Sequence, residues 1–327
     1  MPFLHVSTLM TNIPTHFIDI PLASINIRDK SLCIRPECCA SRNGQALLES
    51  IQEMGLLQAP LVQPRDDQTY KILSGRQRVE AVIRLGWENI TCLCLAPHAP
   101  AMLKWKIILN HALLGSQLSF IEQALFFEKA GKELARQDLV TLLTLLGWKA
   151  SNRVLERMEK ALLLTPAAIT ALHLGYLHEK NIDLVETLSD SDQETLVRLI
   201  GEYKLGGSKQ RNLLVFASDL SRRHNCSART IIERWEQSRN RGGDENKPQL
   251  VHDLFTWFSQ QLSPRLYREE QQFNKLVQAM ELPPSCSLRP TRAFEDTRLS
   301  LTIQFMDHAH FIKQWESIRK VLESNHE

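Results

Sequence analysis

The stretch YKILSGRQRVEAVIRLG, residues 70–86, predicts a short strand, a glycine turn and a helix in direct succession. Bulky and β-branched residues come first, Gly75 interrupts them, and apolar residues then recur at helical spacing. The first turn of a helix exposes backbone N–H groups and the positive end of the helix dipole. Because Arg76 and Arg78 lie in this turn, we expect an anion site, although two solvated arginines at an ordinary turn fit the same residues.

The flanking segments extend this unit into a small α/β domain. Residues 17–27 alternate as a first strand does, and residues 44–54 form an amphipathic helix. A proline-bounded strand follows in QAPLVQP, and residues 88–95, ENITCLCL, alternate again. We therefore expect an α/β domain over residues 1–97.

Residues 17–96 resemble the N-terminal domain of the ParB family of DNA partition proteins, a fold related to that of sulfiredoxin. The family's turn is matched by Gly75, Arg78 and Ala81, and its preceding segment by Leu48, Ser50, Ile51, Gly55, Leu57, Gln58 and Pro60. In that family the turn belongs to a pocket for CTP. The resemblance implies that CTP is bound by Gln58, Ser74, Gly75, Arg76, Gln77 and Arg78.

Two departures from the family pattern bear on catalysis. In the turn, Arg76 and Gln77 replace a glutamate and an arginine. The family's E-N-x-x-R stretch, which helps to hold magnesium, is replaced at His111, Ala112 and Gly115. Magnesium prefers carboxylate and phosphate oxygens, so the sequence argues against a magnesium site. The resemblance then implies CTP binding with at most weak hydrolysis, and it leaves open whether the chain is an enzyme.

Residues 138–157, DLVTLLTLLGWKASNRVLER, predict a helix-turn-helix within an all-helical region, residues 98–241. Gly147 ends the first helix and Ser151 caps the second. In such a unit the second helix enters the major groove, where Arg reads guanine and Asn reads adenine. The candidate DNA-binding residues are Lys149, Ser151, Asn152, Arg153, Arg157 and Lys160, with Asn152 and Arg153 at base edges and Lys149, Ser151 and Lys160 at phosphates. A helical hairpin with a basic outer face fits the same pattern.

The order of the following elements resembles the ParB central domain. The matching positions are Leu164, Pro166, Gly175, Leu188, Asp190 and Gln193. The resemblance, which then spans residues 17–220, implies specific binding to double-stranded DNA as a homodimer. It also implies a ParA-type ATPase as partner and a role in chromosome or plasmid partition at the nucleoid.

The C-terminal part reads as a separate small α+β domain, residues 250–327, after a linker at residues 242–249. Its one alternating strand, RLSLTIQF, requires a partner from an earlier loop or from a second copy of the chain. By position in the ParB family this domain is expected to dimerise. The whole chain is therefore predicted to be α+β.

Composition limits the alternatives. The 327 residues carry a net charge of +2, so affinity for DNA must come from local patches. No signal peptide and no membrane-spanning stretch is recognisable, so we expect a cytoplasmic protein. The seven cysteines lack the spacing of a metal site and are expected to be reduced thiols.

Two other functions are compatible with the sequence. The first is a transcriptional regulator or plasmid-replication factor on the same scaffold, without nucleotide turnover. The second is an enzyme such as a sulfiredoxin or a nuclease. Sulfiredoxin carries its reactive cysteine in the phosphate turn, where this chain has Ser74, Gly75 and Arg76, and no acidic cluster offers a nuclease its metal ligands.

Overall fold

The computed structural model describes residues 15–36, 44–115, 117–238, 246–280, 282–291 and 298–308, and the pairs 311–312, 315–316 and 318–319. The chain divides into two compact units, residues 1–214 and 215–327. Both units combine helices with a small sheet, so the predicted α+β class is confirmed. The predicted domain limits at residues 97, 241 and 249 stay predictions.

The first unit begins with a four-stranded sheet and two helices. Its elements are β1 (Thr15–Pro21), α1 (Gly44–Met54), β2 (Leu61–Pro64), β3 (Tyr70–Ser74), α2 (Arg76–Arg84) and β4 (Asn89–Leu95). The strand order is β1-β4-β2-β3, with β2 parallel to β4 and the other neighbouring pairs antiparallel. The first strand is shorter than predicted, because a 3₁₀ turn begins directly after Pro21.

The sheet separates two hydrophobic cores because successive side chains on a strand point to opposite faces. Val62 and Ile72 pack with α1 and α2, whereas their neighbours Leu61 and Leu73 belong to the core of the following helices. Leu95, at the end of β4, joins that second core. The sheet therefore positions both the turn at Gly75 and the helices that face it.

Eight helices follow in the chain. They are α3 (Ala101–Gly115), α4 (Phe120–Ala130), α5 (Arg136–Leu143), α6 (Asn152–Leu162), α7 (Pro166–His173), α8 (Ile182–Glu186), α9 (Asp190–Glu202) and α10 (Gly207–His224), whose residues from 215 onward belong to the second unit. Trp105, Phe126, Leu142 and Leu155 are buried in a core that α3, α4, α5 and α6 share, with Trp105 and Phe126 in edge-to-face contact at 5.3 Å.

A glutamine near the start of a helix recurs three times with the same contact. Gln123, Gln193 and Gln210 each donate from Nε2 to the carbonyl oxygen of the leucine five residues earlier, at 2.9, 3.2 and 2.7 Å. In the first two cases the leucine is followed by a serine that caps the helix. The side-chain oxygen of Gln123 accepts from Nε1 of the later Trp148, whereas those of Gln193 and Gln210 accept from backbone N–H groups of earlier residues. Each glutamine therefore ties a helix start to another segment of the chain.

The second unit contains α11 (Ala228–Ser238), α12 (Lys247–Leu262), α13 (Pro264–Ala279) and a hairpin of β5 (Cys286–Pro290) with β6 (Leu299–Ile303). The partner of the predicted strand therefore comes from the preceding turn-rich segment of the same chain. The sequence FIKQWESIRKVLES, residues 311–324, also predicts a helix, and most of it falls outside the described residues. No helix in the described ranges has the length and apolar character needed to cross a bilayer.

We expect Gln210→Ala to lower the free energy of unfolding by about 3 kcal/mol, because several buried polar groups lose their partner together. Gln210 is buried and bonds the oxygens of Tyr176 and Leu205, the backbone N–H of His178 and the amide of Asn181. Denaturant unfolding of the whole chain measures the change.

The matched control for this substitution is Gln137→Ala on the exposed side of α5, which should change stability by less than about 0.5 kcal/mol. Equal effects from the two alanine substitutions would show that the Gln210 contacts do not stabilise the helix start.

Candidate functional site

The turn between β3 and α2 can accommodate only glycine at position 75. Gly75 has φ +87°, and a Cβ there would lie 3.0 Å from the Cα of Pro60. The turn is therefore packed directly against the start of β2. No side chain caps α2 and no acidic residue lies in its first turn, so the positive end of its dipole is uncompensated.

Arg78 brings a half-buried positive charge to this turn. Its guanidinium donates to Oε1 of Gln58, a neutral acceptor, and it forms no ion pair with any described carboxylate. Burial lowers the pKa of Arg78, and the nearby charge of Arg35 lowers it further. An anion bound at the turn would relieve both effects, so the geometry fits the predicted anion site.

Arg35 is a second cation near the turn that the sequence analysis did not identify. Its Nε lies 3.6 Å from Oε1 of Glu122, a buried residue whose other oxygen accepts from the N–H of Ser119 in the predicted capping box. Arg35 occurs in a polar loop where it has no motif around it. Only the tertiary structure brings this second cation close enough to Arg78 to lower the pKa of Arg78.

Arg76 is bound to groups of the protein itself. Its guanidinium donates to the carbonyl oxygens of Ile27 and of Asp29, the latter at 3.0 Å, and pairs with Glu80 at 2.9 Å. These contacts anchor the loop that follows β1. Its predicted role toward a nucleotide, like that of the half-buried Gln77 beside it, stays a prediction.

His111 on α3 connects the turn to the segment before β2. Its Nε2 lies 2.9 Å from the carbonyl oxygen of Ala59 and its Nδ1 lies 3.0 Å from Oγ of Ser74. Since a carbonyl only accepts, Nε2 carries the proton and Nδ1 accepts from the Ser74 hydroxyl. Burial, more than the charge of Arg78, lowers the pKa of His111 and keeps the ring neutral.

The residues around the turn thus provide cations and a neutral ring rather than free carboxylates. Glu80 and Glu122 are each paired with an arginine. In the described part of the chain, no three His, Cys, Asp or Glu side chains come together as metal ligands would. Cys92 is buried and its pKa is raised to about 12, mainly by burial, so its thiol is not a nucleophile at neutral pH.

The two helices and the glycine turn predicted for the helix-turn-helix are present. After α5 a 3₁₀ turn ends at Gly147, which has φ +78° and closes the first helix. The Oγ of Ser151 accepts from the N–H of Arg153 at 3.2 Å and so caps α6. Leu155 and Met158 bury one side of α6, which leaves its opposite side exposed.

The predicted DNA-binding residues differ in their exposure and in their partners. Lys149, Asn152 and Arg153 are exposed, whereas Arg157 is half-buried, with an Nε that has no hydrogen-bond partner among the described residues. Lys160 is held by two carboxylates of α8, and their hydrogen bonds raise its pKa. Those contacts are Nζ to Asp183 at 3.2 Å and to Glu186 at 2.6 Å.

A further residue, Arg136 at the start of α5, was not identified from the sequence. Its Nε donates to Oδ1 of Asn152 at 3.3 Å, and its Nη1 pairs with Glu159. These two residues lie two turns apart on α6, so Arg136 fixes the orientation of the second helix relative to the first. A lone arginine at a helix start carries no sequence signal for this role.

We expect the thermal stability of the protein to fall as the pH drops below about 6.5, the ordinary pKa of histidine. The pKa of His111 is depressed in the folded state, so the unfolded chain binds more protons as the pH falls through this range. Its contribution to stability is complete above the unfolded pKa and is lost as the pH falls toward the folded one. Melting temperatures from pH 8 to 5 measure this change.

In His111→Gln this part of the pH dependence should disappear, whereas the exposed His98→Gln should retain it. If both variants showed the same pH dependence as the parent, His111 would not be the group that titrates.

Several solved structures are similar to parts of the chain, among them the following three. The C-terminally truncated chromosome-partitioning protein ParB from Caulobacter crescentus complexed with CTP-gamma-S is 19% identical and covers 57% of this chain and 98% of its own, with a TM-score of 0.23. The same protein complexed to the centromeric parS site is 18% identical and covers 60% and 98%, with a TM-score of 0.33. The Pnob8-like ParB-N domain is 12% identical and covers 57% and 93%, with a TM-score of 0.36.

A family model also matches the N-terminal part of the chain. The match covers residues 20–111 and is to the ParB N-terminal domain. No curated protein matched the chain. The matched range contains the turn at Gly75, the half-buried Arg78 and His111, and it agrees with the resemblance found in the sequence. Residues 20–111 of the chain therefore match the family of the ParB N-terminal domain in sequence.

Proposed function

We propose that the chain is a ParB-like, sequence-specific DNA-binding protein that acts in chromosome or plasmid partition, with CTP as the ligand that gates a clamp around DNA. The environment of Arg78 is the observation that supports the nucleotide-binding part of the proposal. A half-buried guanidinium with only a neutral partner, at an uncapped helix N-terminus, is arranged to receive a phosphate. This group lies within the ParB N-terminal domain.

The DNA-binding part of the proposal rests on α6. The exposed Asn152 and Arg153 occupy the first turn of a capped helix, where a helix-turn-helix contacts base edges. Lys149 precedes that helix and is exposed, as a phosphate contact requires. Arg157 follows one turn later and has an unpaired Nε.

The proposal is for nucleotide binding without efficient hydrolysis. A magnesium-dependent reaction needs carboxylate oxygens near the phosphates. At this turn Glu80 and Glu122 are engaged by arginines, and a neutral His111 occupies the position at which the family has an acidic residue. The chain's own residues then bind and orient the phosphates, and magnesium is not part of the proposal.

We further propose that the protein is a homodimer held by its C-terminal unit. Leu299 and Leu301 alternate along β6 and both are exposed, as is Phe305 just after the strand. A two-stranded hairpin with exposed apolar residues is stabilised when a second copy covers it. A nucleoid location and a ParA-type ATPase partner complete this proposal.

One alternative is supported by a specific observation. The engagement of Arg76 and the substitution at His111 both reduce what the pocket offers to a nucleotide. A transcriptional regulator or plasmid-replication factor on the same scaffold would retain DNA binding and lack CTP binding. Calorimetric titration of the purified protein with CTP separates the two functions.

We expect Arg78→Ala to abolish CTP binding in isothermal titration calorimetry, because the only described cation that is unpaired and in contact with the turn is removed. The melting temperature should be almost unchanged, since no ion pair is broken. Arg84→Ala is the matched control, because it removes an exposed arginine from the last turn of the same helix. Equal CTP affinity in the two variants would place the nucleotide site elsewhere.

We expect Arg153→Ala to reduce the discrimination between the preferred DNA site and unrelated DNA by about 1–3 kcal/mol. Lys149→Ala should instead weaken binding to all sequences equally and lower the slope of log affinity against log salt by about one. Fluorescence anisotropy at several salt concentrations measures both quantities. The assignment of α6 as the reading helix fails if the two substitutions have the same effect.

A further inference from the structure

The outer side of α6 carries a carboxylate at its centre. Leu155, Met158 and Ala161 face the core. With 3.6 residues per turn, Glu156 lies on the opposite side, one turn after Asn152 and one turn before Lys160. Glu156 is exposed, and it is flanked by the residues on which DNA recognition is proposed to depend.

The cations that would ordinarily pair with Glu156 are held by other groups. Lys160, four residues later, is the partner that helix geometry favours, but Asp183 and Glu186 bind its ammonium group. Arg136 is paired with Glu159 and bonded to Asn152. No residue in the described part of the chain forms an ion pair with Glu156, so its carboxylate remains available as an acceptor.

The surrounding contacts also hold in place the helix that carries this carboxylate. Arg136 binds Asn152 and Glu159, one on each side of Glu156 along the helix, and Lys160 ties the same helix to α8. The part of α6 that carries Glu156 is therefore held at both ends. Because the helix is already held in place, only the side chain of Glu156 loses conformational freedom when it forms a directed hydrogen bond.

A carboxylate that faces a DNA duplex can favour binding in one way, by accepting a hydrogen bond from a base. The phosphates repel it, so it weakens binding to any sequence that offers it no donor. In the major groove, cytosine presents the N4 amino group, and Glu and Asp accept from it. A glutamate among basic residues on a reading helix thus excludes wrong sequences while it accepts a hydrogen bond from the right one.

We propose that Glu156 is a specificity-determining residue that accepts a hydrogen bond from N4 of a cytosine in the major groove. This inference rests on the proposed DNA-binding function of α6. Arg153, three residues earlier and likewise without an ion pair among the described residues, supplies the donor for a neighbouring guanine. The pair gives α6 one donor and one acceptor within a single turn.

The test is a binding selection with the full-length chain and a pool of random-sequence DNA duplexes. The parent should select a motif that contains a required cytosine. Glu156→Gln should lose that requirement, with the preference for cytosine at this position falling about 5- to 150-fold. The same variant should bind unrelated duplex DNA more tightly than the parent, because a repulsive charge is gone.

Glu194→Gln on α9 is the matched control, since it removes an equal charge from an exposed glutamate in the same unit. It should keep the cytosine requirement of the parent. Equal melting temperatures of parent, variant and control establish that all three are folded. Opposite effects on the preferred and the unrelated DNA cannot come from loss of structure, which would weaken both.

The outcomes separate this inference from the function on which it rests. If the parent selects no sequence from the pool, the proposed sequence-specific DNA binding fails. If the parent selects a motif and Glu156→Gln retains every base preference, DNA binding stands and the role of Glu156 is overturned. A folded Glu156→Gln variant that binds unrelated DNA less tightly would also overturn it.

Discussion

The close approach of the turn at Gly75 to Pro60 is the constraint on which the N-terminal domain depends. It requires a residue without a side chain at a positive φ, and it sets the start of α2 directly against the start of β2. From this contact follow the position of Gln58, which receives Arg78, and the position of Ser74, which donates to His111. One backbone contact thus organises both the strands and the pocket.

The two arginines of this turn illustrate how the fold assigns roles to like residues. Arg76 reaches acceptors on the loop after β1, 47 residues earlier in the case of Asp29, and so stabilises the fold. Arg78 reaches only a neutral amide and lies near a second cation, Arg35. Half-burial of a charge without a counter-ion raises the free energy of the folded protein, and a bound anion would offset that increase.

The second helix of the helix-turn-helix shows the same principle at a surface. Lys160 is neutralised by Asp183 and Glu186, whereas Arg153 and Glu156 are left without ion pairs among the described residues. The charges that remain available on α6 are therefore fewer than its sequence suggests, and they include an acceptor. In the proposed complex with DNA, recognition by α6 would depend more on matched hydrogen bonds than on general attraction to phosphate.

Local sequence determined several helices and their ends. The helix α1 has the bounds that its amphipathic pattern predicted, Ser119 caps α4 with Glu122, and Ser151 caps α6. These features depend on residues within one or two turns, which periodicity and capping rules can reach. The turn at Gly75 and the basic second helix were predicted for the same reason. Which cations are free was decided only by the tertiary structure, because the partners of Arg76, Arg136 and Lys160 come from other elements and an ion pair depends on distance in space.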